Sequence, residues 1–578
     1  MRPLLLLCSH AALVAAVADE DILYPRTLTD DPPYPKDAYP GNETCGPSFK
    51  NAPIYHLMDQ HGCAENDPNG PVFDPVHGVI HHFYQIHLAA LPGHGPDYGH
   101  FVSKDFITWA QLPVAIWNGL DSSVWPPRVT KYDNEAIFTG SALVLDGAGP
   151  GGKGPGIVQI YPGLCNKGDW PACATGTLLA QAVPANYATD ALLTNWTKPS
   201  YNPIVESTQR DPSTPWKTPS GEWRLRTYDQ MVYGSASDED LLAGKWYTIG
   251  KSDDFRQCEC PSFYPLPASS RTPEALRAHA AATASGGTLP THVHKTSCSG
   301  DWWQLGTYEA GAPKTLGSFN ATPGWEDAWA QRKIDGGHFY ASKDNLYPVK
   351  GSKTEQRRIN WGWATVPPAS AQTLPREITF NAATRQLDQY PIDEINGLRQ
   401  AAVALPGIKG AALVPGTPLA LPATPEVVMH SDLTVTFSLP TKGTFAGPLQ
   451  LGVSASTGGA DGDPVECTVS YSAAPNASAP YYDVPVQCGG DTAQLRLLPG
   501  ETTVTLRLFY DATFVEAFFQ GGRAAITEPV ALATGTAGSR LSLIADGAGV
   551  TVTDAALYPM RSIWADAETV RKAPRVYG

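Results

Sequence analysis

Positive charge is in short supply in this 578-residue chain: 41 Lys and Arg stand against 56 Asp and Glu, a formal net charge of -15 and a pI near 5.4. Nucleic-acid phosphates would be repelled by such a balance, which excludes nucleic acid as a partner. Long hydrophobic runs are missing too. Beyond the first eighteen residues none reaches the roughly 18 apolar residues that a membrane span needs, so no membrane partner is expected. Cys-x-x-Cys pairs and matching histidine spacing are absent, which argues against a zinc site. Helical periodicity is scarce between about 50 and 395.

What remains is an acidic, β-rich chain with 42% hydrophobic residues, long enough for two or three domains with their own cores. Residues 1–18 carry Arg2, apolar runs and small residues at Ala16 and Ala18, the pattern of a secretory signal peptide. A secreted or extracellular protein is expected, with a vacuole as the other destination. Sequons at Asn42, Asn195, Asn320 and Asn476 agree with that route. Nine cysteines follow the leader, and an oxidising compartment should pair most of them. The expected bridges are Cys45–Cys63, Cys165–Cys173, Cys258–Cys298 and Cys467–Cys488, with Cys260 left free.

Residues 19–50 read as an N-terminal extension. Residues 51–395 read as many short strands separated by Gly, Pro, Asn and Asp turns, suiting a propeller or a sandwich. One exception is a helix near 272–283, with Thr272 at its cap and Pro273 at its first position. An Ala-, Pro- and Gly-rich stretch, 396–426, is expected to link to a second β domain, 427–565, with a tail at 566–578. In that domain Leu433, Val435, Phe437 and Leu439 alternate with polar residues, the period-two signature of a half-buried sheet and hence of a β-sandwich.

Three acidic motifs recur at blade-like distances: Glu65-Asn66-Asp67-Pro68-Asn69-Gly70, Arg210-Asp211-Pro212 and Glu259-Cys260-Pro261. Each sets a carboxylate one or two residues before a proline that stiffens the backbone. Any one alone is ordinary turn chemistry. Together, in this order, they resemble the motif trio of glycoside hydrolase family 32, the invertases, inulinases and levanases. Further segments extend the resemblance over nearly the whole mature chain: His82-Phe83-Tyr84-Gln85, Phe138-Thr139-Gly140-Ser141, Phe339-Tyr340-Ala341-Ser342-Lys343, Trp361-Gly362-Trp363, Leu374-Pro375-Arg376-Glu377 and Val515-Glu516-Ala517-Phe518.

The resemblance implies a five-bladed β-propeller followed by a C-terminal β-sandwich, and a cofactor-free, metal-free β-fructofuranosidase acting on sucrose or a fructan. It implies Asp67 as nucleophile, Glu259 as acid and then base, and Asp211 as a transition-state stabiliser. Asn66, Gln85, Phe138 and Thr139 match positions that line the family's fructose subsite, and Arg210 is expected to orient Asp211. Retention of configuration would place the Asp67 and Glu259 carboxyls about 5 to 5.5 Å apart. The positive transition state favours ionised Asp67 and Asp211, while Glu259 must hold its proton, encouraged by the neighbouring Asp67. Fructosyl transfer to a sugar acceptor, or an inactive lectin-like relative, are the other readings.

Departures from the family pattern cluster at the motifs: Ala64 and Glu65 replace an aromatic-Met pair, Cys258 a Trp, Ser262 an Asp and Gln209 a Phe. The histidines His77, His81, His82 and His87 are expected to be structural or surface residues rather than metal ligands, because adjacent strand residues face opposite ways. Asp335 is expected either near the acids with Lys343 or in a solvated ion pair. Trp361 and Trp363 are placed in the core or against sugar.

Overall fold

The computed structural model describes residues 52–578 apart from 89–94, 125–126, 175–176, 255, 285–288, 323–331, 353, 441–447, 458–463, 473–479 and 531–537. The leader, the extension, the sequons Asn42 and Asn476, and Cys45 lie outside the described residues. Cys63 is disulfide-bonded.

Five antiparallel sheets follow one another in chain order. They begin at the strands Ala64–Pro68, Ala136–Ile137, Trp216–Lys217, Glu259–Pro265 and Phe339–Pro348, and the last ends with Gln386–Pro391. Strands such as Val79–His87 are buried on nearly every residue. Faces of neighbouring blades cover one another, so these strands read as continuous rather than alternating patterns. The ring closes by backbone pairing of blade five onto blade one: Gln372 N–H donates to Leu57 O at 2.8 Å and Glu65 N–H to Ala369 O at 3.2 Å. This is a five-bladed β-propeller.

Two further sheets, of six and five strands among the described residues, form the β-sandwich. Here alternation is clean, as in Tyr482–Cys488, where every second residue is buried. One apolar cluster that includes Leu433, Val453, Leu508 and Leu543 fills the space between the sheets. The bridges Cys165–Cys173, Cys258–Cys298 and Cys467–Cys488 are present as expected, and Cys260 is free and buried. The helix spans Pro273–Ala284, with the Thr272 hydroxyl accepting from Ala275 N–H at 3.3 Å. Asn320 is exposed and Asn195 half-buried.

Two stretches are less free than the sequence suggested. Residues expected to be a linker lie along the sandwich, where Ile408, Leu413 and Leu421 are buried and Gly410, Leu413 and Leu421 N–H groups donate to Val552, Val550 and Leu541 carbonyls. Their scattered apolar side chains are hidden among Pro and Gly in the sequence. The expected tail includes the helix Ala567–Lys572, whose last carbonyls accept from Lys104 Nζ at blade one, with Arg571 O and Ala573 O each at 2.8 Å.

The propeller and sandwich meet through buried charge. Arg376 donates to Asp335 Oδ2 and Glu516 Oε2 at 2.8 and 2.7 Å, and its guanidinium lies between the rings of Phe339 and Phe518. Glu516 also accepts from Leu374 N–H and contacts His56 Nε2. Asp335 therefore belongs neither to the acids' surroundings nor to a solvated pair: it is buried, and it also accepts from Thr527 N–H at 2.8 Å. The segments around Arg376 and Glu516, distant in sequence, are two halves of one contact.

Candidate active site

The three acids converge from three places in the chain: Asp67 near the end of Ala64–Pro68, Asp211 in the loop before Trp216–Lys217, and Glu259 at the start of Glu259–Pro265. The ladder slips between Glu65 and Pro68 in blade one, between Glu259 and Ser262 in blade four, and between Tyr340 and Lys343 in blade five. Such bulges bend a strand and re-aim its side chains, and here they fall beside Asp67, Glu259 and Tyr340. Asp211, just before blade three, adopts φ +61°, and Cys260 and Ala341 adopt +46° and +51°. Non-glycine residues in this region cost roughly 1–3 kcal/mol each and persist only where the surroundings dictate them. Cys258–Cys298 ties the strand of Glu259 to its neighbour, next to the Glu259–Ser297 pair.

Asp67 is held by three donors. Asn66 Nδ2 reaches its Oδ1 at 3.1 Å, the Thr139 hydroxyl donates to Oδ2, and the Cys260 thiol lies 3.5 Å from the same oxygen. Asn66 Nδ2 also donates to Gln85 Oε1 at 3.1 Å, and Gln85 Nε2 to Thr139 Oγ1 at 2.6 Å. Asp211 Oδ2 accepts from Cys260 N–H at 3.1 Å. Arg210 pairs with Glu259, has its Nε 3.8 Å from Asp211 Oδ2, and stacks on Tyr228 at 4.6 Å. Glu259 Oε2 accepts from the Tyr340 hydroxyl at 2.7 Å. Phe138 is half-buried beside Thr139, and its carbonyl accepts from Tyr98 Oη at 2.7 Å.

Burial pushes Asp67 above the ordinary range, with Glu259 adding to it and the Thr139 and Asn66 hydrogen bonds pulling back. Burial pushes Asp211 further, to about 7, against the pull of Arg210 and Lys343. Asp211 thus departs from the expectation of an ionised group: without substrate it keeps its proton until near neutrality. Burial also raises the Cys260 thiol, helped by both aspartates, so it stays protonated and able to donate.

The raised Asp211 has a consequence for stability. Below about pH 4 folded and unfolded chains both hold the proton. Between 3.8 and about 7 the unfolded chain has released it and the folded one has not, so stability falls as pH rises. Asp211→Asn is expected to melt a few degrees above wild type at pH 7, with the gain shrinking towards pH 4, while activity falls about 10²- to 10³-fold. Scanning calorimetry at the two pH values checks the first part; a pH-independent difference contradicts it.

Several neighbours of the acids carry no mark of their own in the sequence. Tyr340, on Glu259, is one. Lys343 Nζ sits 3.2 Å from Ser141 Oγ and 3.2 Å from Pro212 O, and Lys295 Nζ is 3.0 Å from Cys260 O. A lone lysine on a strand carries no sequence signal for this; the bulges decide it. Glu65, at a departure position, is buried and raised by burial and Asp59. It accepts from Gln372 Nε2, which also donates to Asn66 O at 2.7 Å.

Of the four histidines, His81 and His82 are buried, His77 is half-buried, and His87 is exposed and touches the pocket lining. His77 pairs with Asp74, His81 with His100 and His82 with Gln372, while His87 Nε2 meets Asn66 Oδ1 at 2.5 Å. Burial lowers His81 to about 4 and His82 to about 3. Trp361 is core, against His82, Phe106 and Tyr347. Trp363 is half-buried beside Tyr340.

Residues 56–391 match the family description "Glycosyl hydrolases family 32 N-terminal domain", and residues 411–559 match "Glycosyl hydrolases family 32 C terminal". The chain belongs to glycosyl hydrolase family 32. Among curated relatives, a rose protein named "Acid beta-fructofuranosidase 2, vacuolar" is 29% identical over 80% of this chain and 74% of its own length. A wheat protein named "Fructan 6-exohydrolase" is 29% identical over 63% of this chain, and the match spans 60% of the wheat protein's length. Among solved family 32 folds, fructan 1-exohydrolase IIa from Cichorium intybus superposes with a TM-score of 0.68 at 22% identity, covering 89% of this chain and 99% of that one. A β-fructofuranosidase from Schwanniomyces occidentalis gives 0.61 at 17% identity, over 89% and 98% of the two chains. No helix among the described residues is long and apolar enough to cross a membrane.

Proposed function

We propose that this family 32 protein is a secreted β-fructofuranosidase that splits sucrose on the fructose side by double displacement. The observation that carries it is the meeting of Asp67, Asp211 and Glu259 within one hydrogen-bonded cluster walled by Asn66, Gln85, Thr139 and Arg210. Asp67 attacks the anomeric carbon as the bond to the glucosyl oxygen breaks, and Glu259 gives that oxygen its proton. The products are glucose and a fructosyl ester on Asp67. Glu259, now a carboxylate, takes a proton from water; the resulting attack frees fructose and restores Asp67 and the acid.

Asp211 accepts from or donates to the fructose hydroxyls, and positive charge developing on the sugar favours release of its proton. Amides at Asn66 and Gln85 and the Thr139 hydroxyl satisfy sugar hydroxyls without adding charge. Fructan hydrolysis is the second reading, supported by a relative named for a fructan at the same 29% identity as one named for β-fructofuranosides. The leader and the relatives named vacuolar or insoluble favour secretion to the cell exterior or a vacuole.

Initial rates on sucrose, raffinose, inulin and levan test substrate rank, with sucrose expected first; faster release from inulin or levan transfers the assignment to a fructan hydrolase. In sucrose hydrolysis with added methanol, retention yields methyl β-fructofuranoside, whereas the α anomer would exclude double displacement. The kcat/KM profile is expected to be bell-shaped with an optimum below neutrality, since one carboxyl must be ionised and another protonated. The acidic limb reports loss of activity as Asp67, raised by burial, takes up a proton. An optimum above neutrality would contradict these roles.

A further inference from the structure

Away from the acids, three side chains converge at the seam between propeller and sandwich. His338 comes from the loop leading into blade five, Asp491 opens the strand Asp491–Leu497, and Glu528 lies in the strand Ala524–Pro529. Each offers one ligand atom, and these atoms lie within 4.8 Å of one another. The two sandwich strands sit at the ends of different sheets, so the cluster joins three separate units of the fold.

The backbone brings them together firmly. Gly336 N–H donates to Ala525 O at 2.9 Å and His338 N–H to Thr527 O at 2.7 Å, so the loop runs along the Glu528 strand. A Cβ on Gly337 would sit 2.1 Å from Thr527 O, and one on Gly489 would sit 2.2 Å from Glu528 Oε1. Glycine is what allows both approaches.

One buried carboxyl oxygen at this point has no hydrogen-bond partner among the described residues. His338 Nδ1 is 3.1 Å from the Thr365 carbonyl and 3.0 Å from the Thr365 hydroxyl, which together hold the ring. A proton on Nδ1, given to that carbonyl, leaves the Nε2 lone pair on the carboxylate side for a cation. A histidine held this way by a backbone carbonyl is oriented as metal-ligating histidines are. Nε2 lies 3.8 Å from Asp491 Oδ2, beyond hydrogen-bond range. Glu528 is 8% exposed, and its Oε2 is buried without a hydrogen-bond partner. Its other oxygen has Gly490 N–H at 3.4 Å. Nε2 and the carboxyl oxygens of Asp491 and Glu528 thus face one another within 4.8 Å.

We propose that His338, Asp491 and Glu528 form a site for a divalent transition cation, zinc foremost, that fastens the propeller to both sheets of the sandwich. One imidazole nitrogen and two carboxylate oxygens are a zinc-type donor set, whereas calcium and magnesium favour more numerous, all-oxygen ligands. Ligand bonds of about 2.0–2.2 Å require only a modest closing of the side chains. His338 and Asp491 side chains are 42% and 35% exposed, which leaves solvent access and room for water at the remaining positions. The site is independent of the catalytic reading.

The test uses untagged full-length protein freed of metal by a chelator at pH 8, titrated with zinc by calorimetry and melted with and without it. Expected are one zinc per chain and a rise of several degrees in the melting temperature, absent with calcium or magnesium at equal concentration. His338→Ala and Asp491→Asn each weaken binding at least about tenfold. Glu528→Gln, which relieves a like-charge contact, keeps the metal-free protein folded while abolishing the zinc response. The proposal is overturned if zinc binds all three variants as tightly as wild type, since other groups then hold it. It is equally overturned if wild type shows no zinc-dependent shift, which would mean that the two carboxyls share a proton instead.

Discussion

Asp67→Asn is expected to lower kcat on sucrose by about 10⁴- to 10⁶-fold, the range seen when a covalent catalyst loses its nucleophile. Sucrose binding should change little. An Asn side chain keeps an oxygen for the Thr139 hydroxyl and the Cys260 thiol, both of which reach Asp67 Oδ2, and Asn66 Nδ2, which loses its acceptor at Oδ1, keeps the one on Gln85. What it cannot do is form the fructosyl ester. Calorimetric titration beside steady-state kinetics separates the two effects. Equal activity in the variant would remove Asp67 from the chemistry, and binding without turnover in wild type would favour a lectin-like protein.

The second large effect is on stability. Arg376→Ala is expected to destabilise the protein by about 3–5 kcal/mol, because Asp335 and Glu516 would be left as uncompensated buried charges. The loss should appear as a lower melting temperature with the propeller and sandwich unfolding in separate steps, since this residue lies where they meet. Arg376→Lys should recover only part of the loss. A point-like ammonium cannot contact both carboxylates with the fixed fork of a guanidinium, nor stack as well between Phe339 and Phe518. An unchanged melt for Arg376→Ala would show that the interface rests on apolar contact alone.

Much of this fold is legible in the residues because its punctuation is strong. Turn residues between short β runs indicate many strands, and Leu433 to Leu439 alternate as a sandwich strand does. Five blades are a different matter: no blade repeats another in sequence, and that number comes from the resemblance. The three acids are marked by their prolines and by their order. Their neighbours are not, because Tyr340, Lys343 and Lys295 reach the cluster through bulges and left-handed backbone at Cys260 and Ala341, which leave no mark on a linear pattern. Asp335 was misplaced for a related reason. Its partner Arg376 is far along the chain, and nothing local shows that both are buried.

The convergence of the acids around one fructosyl unit is tested most directly by trapping the intermediate. Glu259→Gln protein is mixed with an aryl β-fructofuranoside whose leaving group needs no proton, quenched in acid and digested, and the peptides are weighed. With no base to activate water, the fructosyl ester should accumulate, and it should be carried by the peptide at Asp67. A fructosyl group on Asp211 or elsewhere, or release of fructose with no modified peptide at any time, would contradict the account.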